Sequence, residues 1–279
     1  MNIDGWKYYN HAVIPTCAPH ESPDLNPVKN GSIWKIDGGI KVLATWITEW
    51  DCRTETNWWY VIKDTPLDIN SLKSKRRYEI NKGSKNFDVR KINPVDLKND
   101  LYDVTVAAYS SWPQKYRPIV DFDTFVRGVE DWKADVFGAF YTDSKKLQGY
   151  AIVYKYDSYA EFSVLRVNPE FEKCAINAAI VAGILREYQE NLKDGYYICD
   201  GSRSIRHETA FQDYLEKYFG FRKAYCRLNV KYRPLFGLGV KFIYPFRGLI
   251  KGTTGIGNKM SGILRMEEIC RAECSKTKL

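Results

Sequence analysis

Ten consecutive residues, Asp200-Gly201-Ser202-Arg203-Ser204-Ile205-Arg206-His207-Glu208-Thr209, hold the densest group of reactive side chains in the chain. His207 is one of three histidines. Its imidazole titrates near neutral pH and could serve as a general base toward an amine or a hydroxyl. Asp200 or Glu208 could orient that imidazole or take the proton directly. Arg203 and Arg206 carry forked cations that suit a carboxylate or a phosphate. The same residues also have a purely structural use. Ser204 or Thr209 could cap a helix whose first turn favours the charge of Glu208.

A second cationic group lies at Leu72-Lys73-Ser74-Lys75-Arg76-Arg77-Tyr78-Glu79-Ile80-Asn81-Lys82-Gly83. Ser71 as N-cap and Gly83 as stop define a helix between them. Its cations could simply be a solvated face with Tyr78 and Ile80 turned inward. Alternatively, Arg76 and Arg77 could face the phosphates of a substrate. His11, Cys17 and His20 match no tight zinc spacing, so no metal site is expected. The seven cysteines are odd in number and scattered, as free thiols in a reducing cytosol would be.

The elements that must position these groups come from periodicity. In 279 residues there is room for one large domain or one domain with appendages. No signal-like opening is visible, and the longest apolar run, 178–185, is too short to span a bilayer. Residues 1–30 carry four prolines and read as irregular. Strands are expected at 32–36, 39–47 and 57–62, the first two joined by an Asp37-Gly38-Gly39 hairpin turn. From Phe87 the order becomes regular. A strand at 87–92, helices at 94–111 and 122–132, and strands at 136–141, 147–156 and 160–167 come first. The clearest helix, 175–192, follows, then a strand at 196–199, a helix at 208–219 and a strand at 221–232. The Asp200–Thr209 cluster thus follows a strand and precedes a helix, at the end of the sheet where ligands bind in open α/β folds.

The net charge of +8 is uneven. Residues 233–279 hold nine Lys/Arg against three Glu, a net +6. Within 235–251 aromatic and aliphatic residues alternate with cations. That stretch could lie on an anionic membrane or pack its apolar side back on the core.

The β-α-α-β-β-β-α-β-α-β order resembles the GNAT acyltransferase fold, which also underlies the Fem family of aminoacyl-tRNA-dependent transferases. Val167-Asn168-Pro169-Glu170-Phe171 is similar to the V-x-P-x-aromatic that ends the fourth GNAT strand. Lys217-Tyr218-Phe219-Gly220-Phe221 is similar to the K-x-G-F after the last helix. The resemblance implies an α/β (α+β) fold with a mixed, mostly antiparallel sheet and flanking helices. A small N-terminal antiparallel β unit (1–85) would precede the GNAT-like domain (86–232), and a basic C-terminal extension (233–279) would follow it. It also implies a V-shaped cleft where the fourth and fifth strands part, with a donor loop at Val167, Lys173, Cys174, Ala175, Ile176 and Asn177. Glu161, in the fourth strand, becomes a further candidate base.

The donor loop departs from the family pattern. Where the family reads R-G-x-G-x-G/A, this chain has Glu172-Lys173-Cys174-Ala175-Ile176-Asn177, with an acid for the basic residue and no glycine. The tyrosine expected four residues before Gly220 is Glu216. These departures move the resemblance toward the Fem-like branch. The implied activity is N- or O-acyl or aminoacyl transfer to a small acceptor, such as a cell-surface glycan or peptidoglycan precursor. The donor would be acetyl-coenzyme A, another acyl donor or aminoacyl-tRNA. The competing readings are a GNAT-fold ligand binder without chemistry and a membrane-surface binder acting through its tail. The location implied is cytoplasmic, with contact to the inner face of the membrane.

Overall fold

The computed structural model describes residues 1–205, 210–250 and 255–276. His207, Glu208 and Arg206 lie outside the described residues. The chain divides into two compact units. One holds Met1–Tyr60 with the segments that begin at Ser202 and Lys223, and the other holds Val61–Gly201 and Ala210–Arg222.

In the first unit, β1 (Trp6–Tyr9) pairs antiparallel with β2 (Ala12–Pro15). β2 runs parallel to β3 (Leu43–Thr48) through Ala12↔Leu43 and Val13↔Ala44, and β3 pairs antiparallel with β10 (Arg222–Tyr232). A short helix α1 (Asn26–Asn30) closes over Trp6, Val13, Ile33, Ile36 and Ala44. The proline-rich start is therefore ordered by burial of Trp6 and Val13, an anchor that periodicity alone does not reveal. Ser32–Lys35 is a 3-10 turn rather than a strand. Asp37-Gly38-Gly39 is not a hairpin: a Cβ on Gly38 would lie 2.6 Å from Cγ of Tyr8, so the glycines make room for that ring. α7 (Pro234–Ile243) and α8 (Gly255–Lys276) complete the unit. β4 (Trp58–Lys63) carries the chain from this unit into the next.

In the second unit, β5 (Phe87–Ile92), β6 (Asp135–Tyr141), β7 (Leu147–Lys155) and β8 (Tyr159–Val167) pair antiparallel in sequence order, and β9 (Tyr197–Ser202) joins β8 in parallel. The expected order from Phe87 is the order found. On one face α3 (Lys98–Ser110) and α4 (Phe122–Val129) bury Leu101, Val104 and Val129 against Val136, Phe140, Tyr150 and Ile152. Asp121 caps α4 by accepting from the Thr124 amide at 2.9 Å. On the other face α5 (Ile176–Glu187) lies so close that a Cβ on Gly183 would meet Val89 Cγ1 at 2.5 Å. α6 (Ala210–Phe219) buries Leu215 and Phe219, and its Phe211 ring meets Phe162 edge-on at 6.2 Å. α2 spans Ser74–Asn86, so Gly83 is not its stop but a buried interior position. No helix among the described residues is long and apolar enough to cross a membrane.

Candidate functional site

β8 and β9 share only three residue pairs, Tyr159↔Tyr197, Ala160↔Ile198 and Glu161↔Cys199. Beyond Glu161 the parallel partner is lost while β8 runs on to Val167. The stacked rings of Tyr159 and Tyr197, with centroids 5.4 Å apart, mark the root of this fork. Between Ile152↔Val164 and Val153↔Phe162 the register with β7 shifts, leaving Ser163 as a bulge. A bulge bends its strand, and here it lies two residues past the last pair with β9.

The bulge also decides which way Glu161 points. Paired residues share a face, and β7 alternates. Tyr150, Ile152 and Tyr154 therefore put Arg166, Val164 and Glu161 together on the face of α3 and α4. Without the extra residue, strict alternation would send Glu161 to the face opposite Val164 and Arg166. Spacing in the sequence gives no sign of this reversal.

Asp200 sits one residue beyond Cys199, at the same level of the fork. Burial pushes its carboxyl up to about 7; the Gln212 side chain, donating to it, pulls the other way, and the charge of Glu161 adds to the rise. Gln212 also donates to the Asp200 carbonyl at 3.2 Å. A Cβ on Gly201, which sits at φ 80°, would lie 3.8 Å from Glu161 Oε1. Two of the sequence-predicted bases, Asp200 and Glu161, are therefore brought together as an interacting carboxyl pair. A carboxyl held protonated up to near neutral pH, with a second carboxylate close enough to act on it, suits general acid–base work.

Arg203 belongs to the first unit. Its guanidinium lies over the Trp59 ring at 4.4 Å and donates to the Asn57 carbonyl at 2.6 Å. With Arg265 it lines a cavity of about 240 Å³. Arg77 donates to the Asn70 carbonyl at 3.0 Å, and Arg76 is half-buried beside it on α2.

After β8 the chain makes a 3-10 turn, Pro169–Cys174, and Ala175 then takes a left-handed conformation at φ 64° and ψ 38° before α5 begins. The Ala175 amide donates to the Glu172 carbonyl at 3.0 Å, and the Cys174 carbonyl accepts from Asn86 Nδ2 at 3.1 Å. Ile176 is fully buried, so only its backbone can face a ligand, while Lys173 and Glu172 are exposed. Asn177 is half-buried in the first turn of α5, and Val167 ends β8. The family's coenzyme A cradle needs loop amides free to approach a pyrophosphate. Here the Ala175 amide is used internally and Glu172 adds a negative charge at the mouth, so the residues do not fit that cradle.

A cavity of about 440 Å³ lies on the α3/α4 face, walled by Tyr109, Ile119, Phe125, Trp132, Val164 and Arg166 among others. Arg166 Nη2 donates to the Tyr109 hydroxyl at 3.0 Å, with the guanidinium 5.0 Å from that ring. Thr105 Oγ1 and the Tyr150 hydroxyl are 2.7 Å apart at its base. Sequence reasoning missed these residues. Their signal was the unusual number of aromatics, which has no positional content until α3 and β8 are placed side by side.

No protein-family model matches the sequence, and no curated protein matches it. Solved structures do match its fold. The C-terminal domain of a protein assigned as a lysylphosphatidylglycerol synthetase from Agrobacterium fabrum superposes over 85% of this chain and 82% of its own, with a TM-score of 0.53 at 11% identity. FemX superposes over 77% of this chain and 78% of its own, with a TM-score of 0.52 at 9% identity. The chain shares the fold of FemX and of that synthetase domain, as the order of its elements from Phe87 implies.

Proposed function

We propose that this chain is an acyl- or aminoacyltransferase whose acceptor enters from the α3/α4 face and whose reaction takes place at the fork of β8 and β9. The observation that carries the reading is the Asp200–Glu161 pair. A carboxyl raised to about 7 sits where the strands part, and its partner Glu161 faces the same side as the cavity residues Val164 and Arg166. The chemistry is assigned to residues 86–232. That one fold neighbour is named as a lysylphosphatidylglycerol synthetase and another as FemX supports aminoacyl transfer as the reaction class.

In this reading the acceptor's amine or hydroxyl attacks the carbonyl carbon of an acyl ester. A C–N or C–O bond forms as the donor's ester C–O bond breaks. The proton lost by the acceptor passes to the carboxyl pair and then to the departing oxygen. Arg166 would hold an anionic group of the acceptor while the aromatic wall covers its apolar part. The donor is taken to be an activated acyl group other than one held in the family's coenzyme A manner, because the loop at 172–177 lacks that cradle.

The test uses hydroxylamine as a small surrogate acceptor, with acetyl-coenzyme A in one set of reactions and a mixture of charged tRNAs in another. Formation of hydroxamate by the native chain, lost in Asp200→Asn with Glu161→Gln, is the expected result. If neither donor gives hydroxamate above the level of that double variant, the transferase reading fails and a ligand-binding role takes its place.

A further inference from the structure

One side of α7 and the turn after it is apolar and uncovered. Leu235, Leu238 and Phe242 recur at i, i+3 and i+7, which places them on a single helix face. They are 84%, 64% and 77% exposed. In the 3-10 turn Tyr244–Leu249, which follows α7 directly, Phe246 and Leu249 are also 55% and 79% exposed. The other side of α7 is anchored: Gly237 and Val240 are buried, and the Phe236 ring packs on Tyr232 at 6.2 Å. The tail therefore packs by one side only. Five large apolar side chains, each more than half exposed within fifteen residues, exceed what a folded chain normally leaves to water without a partner.

The charge of the segment indicates which partner. Residues 233–250 contain Arg233, Lys241 and Arg247 and no acidic residue. Arg247 is committed to Glu268 and to the Tyr244 ring, which fixes the turn to α8. Arg233 and Lys241 are exposed, and Lys241 flanks the apolar stripe. Cations next to exposed Leu and Phe on a helix lying along a surface match a boundary that offers anionic headgroups and hydrocarbon together.

We propose that α7 and its following turn dock on an anionic lipid bilayer, with Leu235, Leu238, Phe242, Phe246 and Leu249 entering the boundary between headgroups and acyl chains. This inference does not depend on the transfer chemistry. It rests on a different part of the molecule and is read by a different measurement.

The full chain should sediment with vesicles of phosphatidylglycerol and phosphatidylcholine and far less with phosphatidylcholine alone. Added salt should weaken the retention. Phe242→Ser and Leu238→Ser should each lower the partition coefficient about tenfold, because each removes an apolar side chain from the boundary. Lys241→Ala should lower it about fivefold, as expected for one cation near an anionic surface. All three positions are exposed, so thermal melts of the variants should match the native chain. Absence of retention on anionic vesicles at low salt would overturn the proposal, as would retention unchanged in the Phe242→Ser, Leu238→Ser double variant. Light scattering separates the remaining occupant. A dimer that the double variant splits would assign this face to a second copy of the chain and also overturn the proposal.

Discussion

Gly83 of α2 faces Ala175 so closely that a Cβ on the glycine would lie 2.6 Å from the alanine carbonyl oxygen and 2.9 Å from the Ala179 nitrogen. α2 is thus laid directly against the start of α5, and Asn86 adds its bond to the Cys174 carbonyl. The loop after β8 has no glycine of its own, and Ala175 holds a left-handed conformation that costs an L-residue roughly 1–2 kcal/mol. The close approach of α2 is what holds that conformation in place.

Gly83→Ala should therefore destabilise the chain by roughly 1–3 kcal/mol through overpacking against backbone atoms, even though alanine is the better helix former by about 1 kcal/mol. Gly128→Ala is the control. It lies in α4 with nothing within 4 Å of the added methyl, so the same substitution should stabilise by up to about 1 kcal/mol. Urea titrations of both variants decide the matter. A Gly83→Ala chain as stable as the native one would show that the helices are not locked at this point.

Asp200 predicts a pH dependence with an unusual sign. Its carboxyl titrates near 7 in the folded chain against 3.8 when free. Between those values the folded chain holds the extra proton, so stability should fall as pH rises from about 4 to 7 and level off above 7. The drop has an upper bound of roughly 4 kcal/mol. Asp200→Asn should flatten this slope and leave the variant more stable than the native chain at pH 8. Transfer to hydroxylamine should rise in the native chain as pH passes through about 7. Denaturant midpoints of the two chains at pH 5 and pH 8 read the first effect directly, and equal slopes would remove Asp200 as its source.

The strand and helix order from Phe87 to Tyr232 was legible because its main elements are long apolar runs bounded by turn residues, as in Leu147–Lys155 and Ile176–Glu187. The N-terminal unit was less legible. Its strands β1 and β2 are four residues each, too short to show a period, and they are ordered by Trp6 and Val13 meeting Ile33 and Ala44 from distant segments. Gly38 and Gly83 were misread for the same reason. A glycine that ends an element and one that admits a neighbour look identical in sequence. In the site, Asp200 and Glu161 could be named as carboxyls on strand ends, but their pairing depends on the Ser163 bulge, which is a property of register.

Arg203 offers a choice between anchoring and ligand binding, and its surroundings favour anchoring. It stacks on Trp59, whose ring also lies 4.6 Å from Lys223 Nζ, and it donates to the Asn57 carbonyl. Lysine cannot keep its cation over the ring while a separate nitrogen donates to the carbonyl, as the guanidinium does. Arg203→Lys should cost about 1–2 kcal/mol, while the rate of hydroxylamine transfer per folded molecule stays within about twofold. A stable variant that has lost transfer would reverse the assignment and make Arg203 a substrate clamp.

At the base of the α3/α4 cavity, Thr105 Oγ1 donates to the Leu101 carbonyl at 2.7 Å and so accepts from the Tyr150 hydroxyl. Thr105 is buried, and burial holds the Tyr150 phenol above its ordinary range, so this hydroxyl stays a donor at any working pH. Thr105→Val keeps the volume but strands the tyrosine hydroxyl, at a cost of roughly 1–3 kcal/mol. Tyr150→Phe removes the donor and leaves Thr105 still bonded to Leu101, so it should cost only about 1 kcal/mol. The double variant should then be more stable than the sum of the two losses, by about 1 kcal/mol or more, because no stranded donor remains. Additive losses in the urea-unfolding cycle would mean that water reaches this hydroxyl and that the cavity is open down to its base.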